Sequence, residues 1–430
     1  MPASRNASPG AGASVADLLH PAAVRTAQER KDGGPAPDRK AAAAPDREPG
    51  AAQERKAGVA QDHEPRAAQG HEPGSAPSAD GGPAGSGIVP VPGRSALARA
   101  VLLLCGVAAL VASVAVSVRI GTTDIGYADL ARTFGFHLGL DVEPLPRLVD
   151  SLVWDLRVPR VLMAALVGAS LAVCGAVLQA VTRNALADPY LLGVSSGAST
   201  GAVAVVVLGV GAGTLGVAGG AFTGALLSFG LLALLLRRSG LDSTRIVLTG
   251  VVVGQLFTAL TSLVLMASAD ADTTRAVTHW LLGSMAPARW DSVVLCALVT
   301  LCGLVVIGLY AHTLDGLSFG ADTASSLGID VRATRRVLLV VTALLTSVAV
   351  ASVGAIGFVG LIVPHGTRFL AGPLHRVLLP CTALAGAVFL VWTDALARVA
   401  FAPREVPVGV LTALLGVPLF LLVLRKRGEL

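Results

Sequence analysis

The side chains of this sequence that could do chemistry are few, and they stand in or beside long apolar runs. Asp394 is the one clear carboxylate in such a run. It precedes Arg398 by four residues, a spacing at which two side chains can pair along one helix face. Gln179 and Gln255 are polar but uncharged. Because the sequence offers no chain of intramembrane acids or histidines for protons or sodium, it argues against an ion-coupled secondary transporter.

Enzymatic and metal chemistry find little support in the sequence. His279, His312 and His365 stand at different span ends or loops, with no Ser/Asp arrangement around them, so a membrane enzyme is a distant alternative. The cysteines lie in apolar stretches without CxxC spacing. They predict buried hydrophobic side chains and neither a metal site nor a disulfide framework. We therefore expect no catalytic, cofactor or metal site.

ATP hydrolysis by this chain is also not expected. The four lysines are Lys31, Lys40, Lys56 and Lys426, and none follows a glycine-rich loop. A P-loop needs such a lysine followed by Ser or Thr. If ATP powers this protein, another chain hydrolyses it.

The elements that carry these residues are membrane spans. The 430-residue chain is 53% hydrophobic and only 14% charged, whereas soluble domains are about a quarter charged. Apolar runs of about 18 residues or more indicate spanning helices. We predict an all-α polytopic membrane protein with about ten transmembrane helices, of which the eighth is short and can be partly re-entrant. The predicted spans are 97–118, 159–181, 190–210, 214–236, 245–267, 291–311, 336–355, 356–371, 376–398 and 407–424.

Residues 1–94 differ from the membrane domain at 95–430. They are rich in Ala, Pro, Gly and charged residues and nearly free of aromatic ones. Such a segment cannot bury enough apolar surface to fold, and no apolar core follows a basic start as in a signal peptide. We predict a disordered cytoplasmic tail. The small net charge of +5 and the lack of aromatic-basic interleaving give no support for nucleic-acid binding.

Arginine clusters set the predicted orientation. With ten spans, three basic clusters fall on the side of the N-terminus, and the positive-inside rule makes that side cytoplasmic. We therefore expect a multi-pass plasma-membrane protein with both termini in the cytoplasm. The clusters are Arg237, Arg238 and Arg245; Arg332, Arg335 and Arg336; and Arg425, Lys426 and Arg427.

Gly250 and Gly254 form a GxxxG pattern, which permits close approach of helices. The sequence leaves open whether they pack within the chain or at a pore or dimer interface.

An ordered set of motifs runs through the membrane domain. It resembles the FecCD-type permeases of ABC importers, which include the vitamin B12 importer permease. The resemblance covers roughly residues 97–427, with Ala185 standing where the family usually has proline. The motifs begin with Leu156-Arg-Val-Pro-Arg160, Val167 to Gln179, Asn184-Ala-Leu-Ala-Asp-Pro189 and Leu192 to Ala198, continue with Trp280 to Ser284, Ala324-Ser-Ser-Leu-Gly328 and Gly357 to His365, and end with Asp394 to Arg398, Glu405 to Gly409 and Gly416-Val-Pro418.

The resemblance implies partners and cargo. It implies a cytoplasmic ATP-binding subunit, an extracellular substrate-binding protein and a second permease subunit, either identical or a paralogue. The implied function is ATP-driven import of iron-siderophore complexes. Cobalamin or haem import is the alternative within the class, and an ion-coupled secondary transporter is the alternative outside it.

The resemblance also assigns roles to residues. Arg157, Arg160 and Arg398 correspond to arginines that dock the binding protein, and bidentate pairing with carboxylates suits that role. Ala324, Ser325, Leu327 and Gly328 correspond to the loop that couples to the ATPase. We expect a short helix there, ended by Gly328 in the left-handed conformation, with Leu327 as its apolar anchor. The pore is expected to be lined partly by the fifth span, around Gly250 to Met266, with contributions from the third and tenth spans and with few charges.

Overall fold

The computed structural model describes residues 96–121, 125–209, 216–239, 241–267, 271–402 and 404–427. The predicted tail at 1–94 lies outside these residues and stays a prediction. The described ranges contain helices and no strand, which confirms the all-α class. In chain order the helices are α1 (Ala96–Arg119), α2 (Tyr127–His137), α3 (Arg147–Ser151), α4 (Val158–Thr182), α5 (Val194–Leu208), α6 (Gly216–Ser239), α7 (Ser243–Met266), α8 (Ala271–Leu281), α9 (Trp290–Leu309), α10 (Ala311–Ser318), α11 (Ala321–Ser326), α12 (Val331–Val353), α13 (Val359–Ala371), α14 (His375–Val399) and α15 (Val408–Arg427).

Ten of the described helices correspond one to one with the predicted spans. Seven of them are long and apolar enough to cross a membrane, while α5 and the apolar part of α15 are shorter. α13 has 13 residues, so at 1.5 Å per residue it extends about 20 Å, less than the roughly 30 Å hydrocarbon core of a bilayer. The predicted short eighth element is therefore present.

The helix α4 lies at the centre of the molecule. In its most apolar stretch 78% of the residues are buried, against 17% in α1 and 28% in α7. Glycines allow this packing, because a Cβ at Gly168 would overlap the carbonyl oxygen of Gly386 in α14, and one at Gly175 would overlap that of Gly360 in α13. Backbone contact of this kind is how small residues stabilise membrane helix pairs.

Two helices start four or more residues away from the start of the predicted span. The third span was expected from residue 190, but a 3₁₀ turn (Pro189–Leu192) and Gly193, with φ of +72°, precede α5. The seventh was expected from residue 336, but α12 begins at Val331, where the Asp330 carboxylate accepts the N–H of Ala333 at 2.9 Å. An N-cap of this type starts a helix earlier than apolar periodicity indicates.

Helices also occupy parts of the segments that lie between the predicted spans. The segment 120–156 contains α2, α3 and a π-helical turn (Leu152–Arg157) that continues directly into α4. The segment 268–290 contains α8. Arg332 and Arg335, which precede the predicted seventh span, lie in the first turns of α12.

Candidate functional site

A buried ionic network joins α4, α14 and the segment before α15. Asp394 is fully buried, and the guanidinium of Arg160 donates to both of its carboxylate oxygens at 3.0 and 3.2 Å. The same guanidinium donates to Glu405 at 2.9 Å. Arg398 Nε lies 3.2 Å from Asp394 Oδ2, which is the i, i+4 pair expected from the sequence. We call Arg157, Arg160, Asp394, Arg398 and Glu405 the arginine network.

Two arginines of this network hold the end of α1. Arg157 Nη1 donates to two carbonyl oxygens at 3.1 and 3.0 Å, and Arg398 donates to two others at 2.6 and 3.0 Å. Cations near a helix C-terminus satisfy its open carbonyls and complement its dipole. The arginines therefore fix α1 to α4 and α14. The four carbonyls belong to Ser117, Val118, Arg119 and Ile120.

The arginines expected to dock a binding protein are mostly buried and are bound to groups of this chain. Arg157 and Arg398 are 7% and 6% exposed, and their guanidinium groups bind acceptors of the same chain. The side chain of Glu405 is 48% exposed and that of Arg160 is 11% exposed. Contact of Arg157, Arg160 and Arg398 with a binding protein stays a prediction. The structure brings the three arginines together, and sequence reasoning did not foresee their links to Glu405 and α1.

The predicted coupling residues lie in α11 and in the turn that ends it, and α10 and α11 together form a short helical segment before α12. The N–H of Gly328 donates to Ser325 O and that of Ile329 to Ala324 O, each at 3.0 Å, and Gly328 has a φ of +81°. These bonds form a Schellman motif, so the short helix ends at Gly328 as expected. Leu327 is 66% exposed, whereas Ala324 is fully buried. Of the predicted coupling residues, Leu327 is the apolar side chain that is exposed at the surface.

The segment is fastened to α14 by a contact that sequence reasoning missed. Asp315 Oδ1 of α10 accepts the backbone N–H of His375 at 2.7 Å and lies 2.8 Å from Nδ1 of the same residue. Arg376 Nε is 3.9 Å from Asp315 Oδ2. The only signal in the sequence was an Asp-Gly pair, which indicates a turn and says nothing of a partner 60 residues away.

The turn between α4 and α5 closes although alanine stands at position 185. Asn184 Oδ1 accepts the N–H of Leu186 at 2.9 Å, and Asn184 O accepts that of Ala187 at 3.1 Å. This side-chain-closed turn needs no proline. Asp188 then accepts the N–H of Tyr190 at 2.9 Å and caps the 3₁₀ turn.

The two glycines of the GxxxG pattern differ in their surroundings. A Cβ at Gly250 would overlap the carbonyl oxygen of Leu191, whereas one at Gly254 would lie 3.6 Å from Ser196 Oγ and 3.8 Å from Gly193 Cα. Gly250 thus packs within the chain. A role of either glycine at a pore or dimer interface stays a prediction.

A polar stripe runs along an exposed face of α7. Gln255, Thr258 and Ser262 are exposed and follow one another at spacings of three and four residues, which places them on one helix face. Thr258 and Ser262 hydroxyls donate to the carbonyls four residues earlier at 2.9 and 3.1 Å. Polar residues in a spanning helix face water or protein in preference to lipid. The stripe is therefore suited to line an aqueous path.

Comparison with known proteins agrees with this architecture. The family model described as the FecCD transport family matches residues 109–426. The chain is 43% identical to the cobalamin import system permease protein BtuC of Halobacterium salinarum over 284 residues, which are 66% of this chain and 76% of that protein. It is 34% identical to the iron(3+)-hydroxamate import system permease protein FhuB of Bacillus subtilis over 332 residues, 76% of this chain and 83% of that protein.

A solved structure is also similar. It is described as a metal-chelate-type ABC transporter in an inward-facing conformation, with a TM-score of 0.67 and 31% identity, covering 76% of this chain and 99% of the solved one. Among the described residues no group of three or more His, Cys, Asp or Glu side chains is arranged to hold a metal ion.

Proposed function

The chain belongs to the FecCD transport family and is an ABC importer permease, and from this premise we propose that it moves iron-siderophore complexes into the cytoplasm. A separate ATP-binding subunit supplies the energy, and an extracellular binding protein delivers the cargo. A second permease subunit, identical or a paralogue, completes the path. The observation that carries the transport part of the proposal is the family match, which runs from the middle of α1 to the end of α15 and so reaches all ten helices that correspond to predicted spans.

The proposed contact with the ATPase is the surface around Leu327. This side chain is 66% exposed on a short helix, and Phe319 between α10 and α11 is 74% exposed. Exposed apolar side chains of this size mark interaction sites when they lie together. α10 is hydrogen-bonded to the start of α14 through Asp315, and α11 leads into α12 within five residues. A displacement of this surface by the ATPase would therefore be transmitted to both α12 and α14.

The proposed translocation path follows the polar stripe of α7. Its hydroxyls and amide offer weak hydrogen bonds and no charge, so a bulky cargo can leave as readily as it enters. The apolar residues beside the stripe are also exposed in the single chain, with Leu256 at 48% and Leu263 at 65%. A second permease subunit facing α7 would cover them and close the path.

The proposed orientation places both termini in the cytoplasm of a plasma-membrane protein. Arginines from the first two basic clusters, including Arg237, Arg245 and Arg332, line one cavity, so these clusters lie at one end of the molecule. The segment α10–α11 precedes α12 and lies at the same end. The positive-inside rule assigns that end to the cytoplasm, where the ATPase acts.

Cobalamin is the second candidate cargo, and sequence identity favours it. The chain is 43% identical to the permease named for cobalamin and 34% identical to the one named for iron(3+)-hydroxamate. Both cargoes are large metal chelates. Because an uncharged path discriminates weakly between them, the proposal places cargo choice mainly in the binding protein.

A competition experiment tests the cargo. The full chain is reconstituted in proteoliposomes with its ATPase subunit and binding protein, and uptake of ⁵⁵Fe-labelled hydroxamate siderophore and of labelled cyanocobalamin is measured with ATP inside. We expect siderophore uptake that excess cobalamin does not inhibit. The control is an ATPase subunit whose P-loop lysine is replaced, which should abolish uptake. Uptake of cobalamin alone would replace the siderophore proposal with its alternative, and failure of both cargoes despite ATP hydrolysis would refute the metal-chelate assignment.

A further inference from the structure

A cavity of about 950 Å³ opens where three membrane helices begin or end. It lies between the last turn of α6, the first turn of α7 and the first turns of α12. This size is at the upper end of ligand pockets, which are roughly 300–1,000 Å³. We call it the basic cavity because five arginines line it, namely Arg237, Arg238, Arg245, Arg332 and Arg336.

The basic cavity has an excess of positive charge that its own lining does not balance. The lining contains no Asp or Glu, and within the described ranges no carboxylate lies at ion-pair distance from any of the five arginines. Asp242, at the start of α7, is exposed and makes no side-chain cap. The cavity is therefore prepared for an anion.

Two of the arginines stand where helix electrostatics disfavour them. Arg245 and Arg332 lie in the first turns of α7 and α12, where the helix dipole is positive and repels a cation. These helix ends add their own partial positive charge to the cavity. A bound anion would stabilise both the helix ends and the guanidinium groups, since phosphate accepts paired hydrogen bonds from arginine.

The remaining lining of the basic cavity is apolar, which favours an amphiphilic anion over a free inorganic one. Phe229, Leu236, Leu339 and Val340 line the cavity on the side of the membrane helices. One wall is fixed by Arg335, which is 8% exposed and donates from Nη1 to Leu241 O at 2.6 Å. A free phosphate ion would gain nothing from the apolar wall, whereas an amphiphile would bind the arginines with its anionic group and the apolar wall with its hydrocarbon chain.

We propose that the basic cavity binds an anionic phospholipid. The phosphate lies among the five arginines, and an acyl chain follows the apolar surface of α6 and α12 into the bilayer. The charge and the position at the membrane-water boundary match, because basic pockets between membrane helices bind anionic headgroups. The proposal needs only the membrane setting of the chain and holds for any cargo, so its failure would leave the transport function untouched.

The test is a lipid titration of the purified full chain in detergent, read by native mass spectrometry. Phosphatidylglycerol and phosphatidylcholine with identical acyl chains are compared. The variant Arg238→Gln/Arg332→Gln should weaken phosphatidylglycerol binding about 25-fold, because each arginine near an anionic headgroup contributes a factor of about five. Arg238→Lys/Arg332→Lys should lose less affinity for phosphatidylglycerol, because lysine keeps the positive charge and loses only the paired hydrogen bonds of the guanidinium group. A matched control, Arg132→Gln/Arg404→Gln, changes two exposed arginines outside the cavity and should bind like the wild type.

Three results would overturn the lipid assignment. One is equal affinity for the two lipids, and a second is unchanged phosphatidylglycerol binding by the glutamine variant. A third is displacement of the lipid by 10 mM inorganic phosphate, which would show a phosphate site. Binding of the ATPase subunit is measured on the same variants, and its loss with intact lipid binding would assign the cavity to protein docking instead.

Discussion

Replacing Asp394 with asparagine removes the central charge of the arginine network while keeping the side-chain shape. Asp394 is fully buried, accepts hydrogen bonds from Arg160 and forms an ion pair with Arg398. Breaking a buried ion pair by removing one partner costs about 3–5 kcal/mol, because the other charge stays buried and uncompensated. Here Arg160 keeps Glu405, and Arg398 keeps its acceptors on α1. We therefore expect a loss at the low end, about 3 kcal/mol.

The matched control is Glu405→Gln, which makes the same acid-to-amide change in the same network. Glu405 is 48% exposed, and exposed pairs contribute about 0–1 kcal/mol because water and salt screen them. We expect the control to unfold near the wild-type temperature.

The assay is thermal unfolding of the purified chain in one detergent, followed by tryptophan fluorescence. A loss of 1 kcal/mol lowers Tm by roughly 2–4 °C in domains of 150–250 residues and by less in longer chains, so Asp394→Asn should lower it by about 5 °C. The reasoning is refuted if Asp394→Asn unfolds with the wild type, or if Glu405→Gln is the more damaging change.

Three further substitutions test other parts of the account. Gly250→Ala should lower Tm because the added Cβ would overlap the Leu191 carbonyl oxygen. Gly254→Ala should leave Tm unchanged, because its Cβ would make only ordinary contacts. Equal effects on Tm would contradict the packing described for α7. Leu327→Asp should weaken ATPase-subunit binding at least tenfold in a pull-down or titration, while Leu138→Asp, at a similarly exposed leucine elsewhere, should leave it intact. Arg157→Gln leaves buried carbonyls of α1 without donors, at about 1–3 kcal/mol each, and should lower Tm even without a binding protein; a change in docking alone would show that the contact with α1 is dispensable.

Sequence patterns predicted much of the fold because the bilayer imposes strong constraints. Apolar runs of membrane length have one available structure, the helix, so the ten elements were predictable in order. The end of α11 at Gly328 was predictable because the left-handed conformation selects glycine. The pairing of Asp394 with Arg398 followed from their spacing on one helix.

Contacts between distant segments were not predictable from one sequence. Arg160 meets Asp394 and Glu405 across 234 and 245 residues, and no local pattern encodes which of many arginines fills such a place. The amphipathic helices α2 and α8 were missed because they carry too few apolar residues for a span. The start of α12 was misplaced because Asp330 caps the helix ahead of its apolar run.

The central claim is that this chain is the permease of an ATP-driven importer, and the most direct test compares energy sources. Proteoliposomes containing the full chain, with or without its ATPase subunit and binding protein, are offered labelled cargo under a proton gradient, a sodium gradient or internal ATP. We predict uptake only when ATP and both partners are present. Uptake driven by either ion gradient in the absence of the ATPase would contradict the claim.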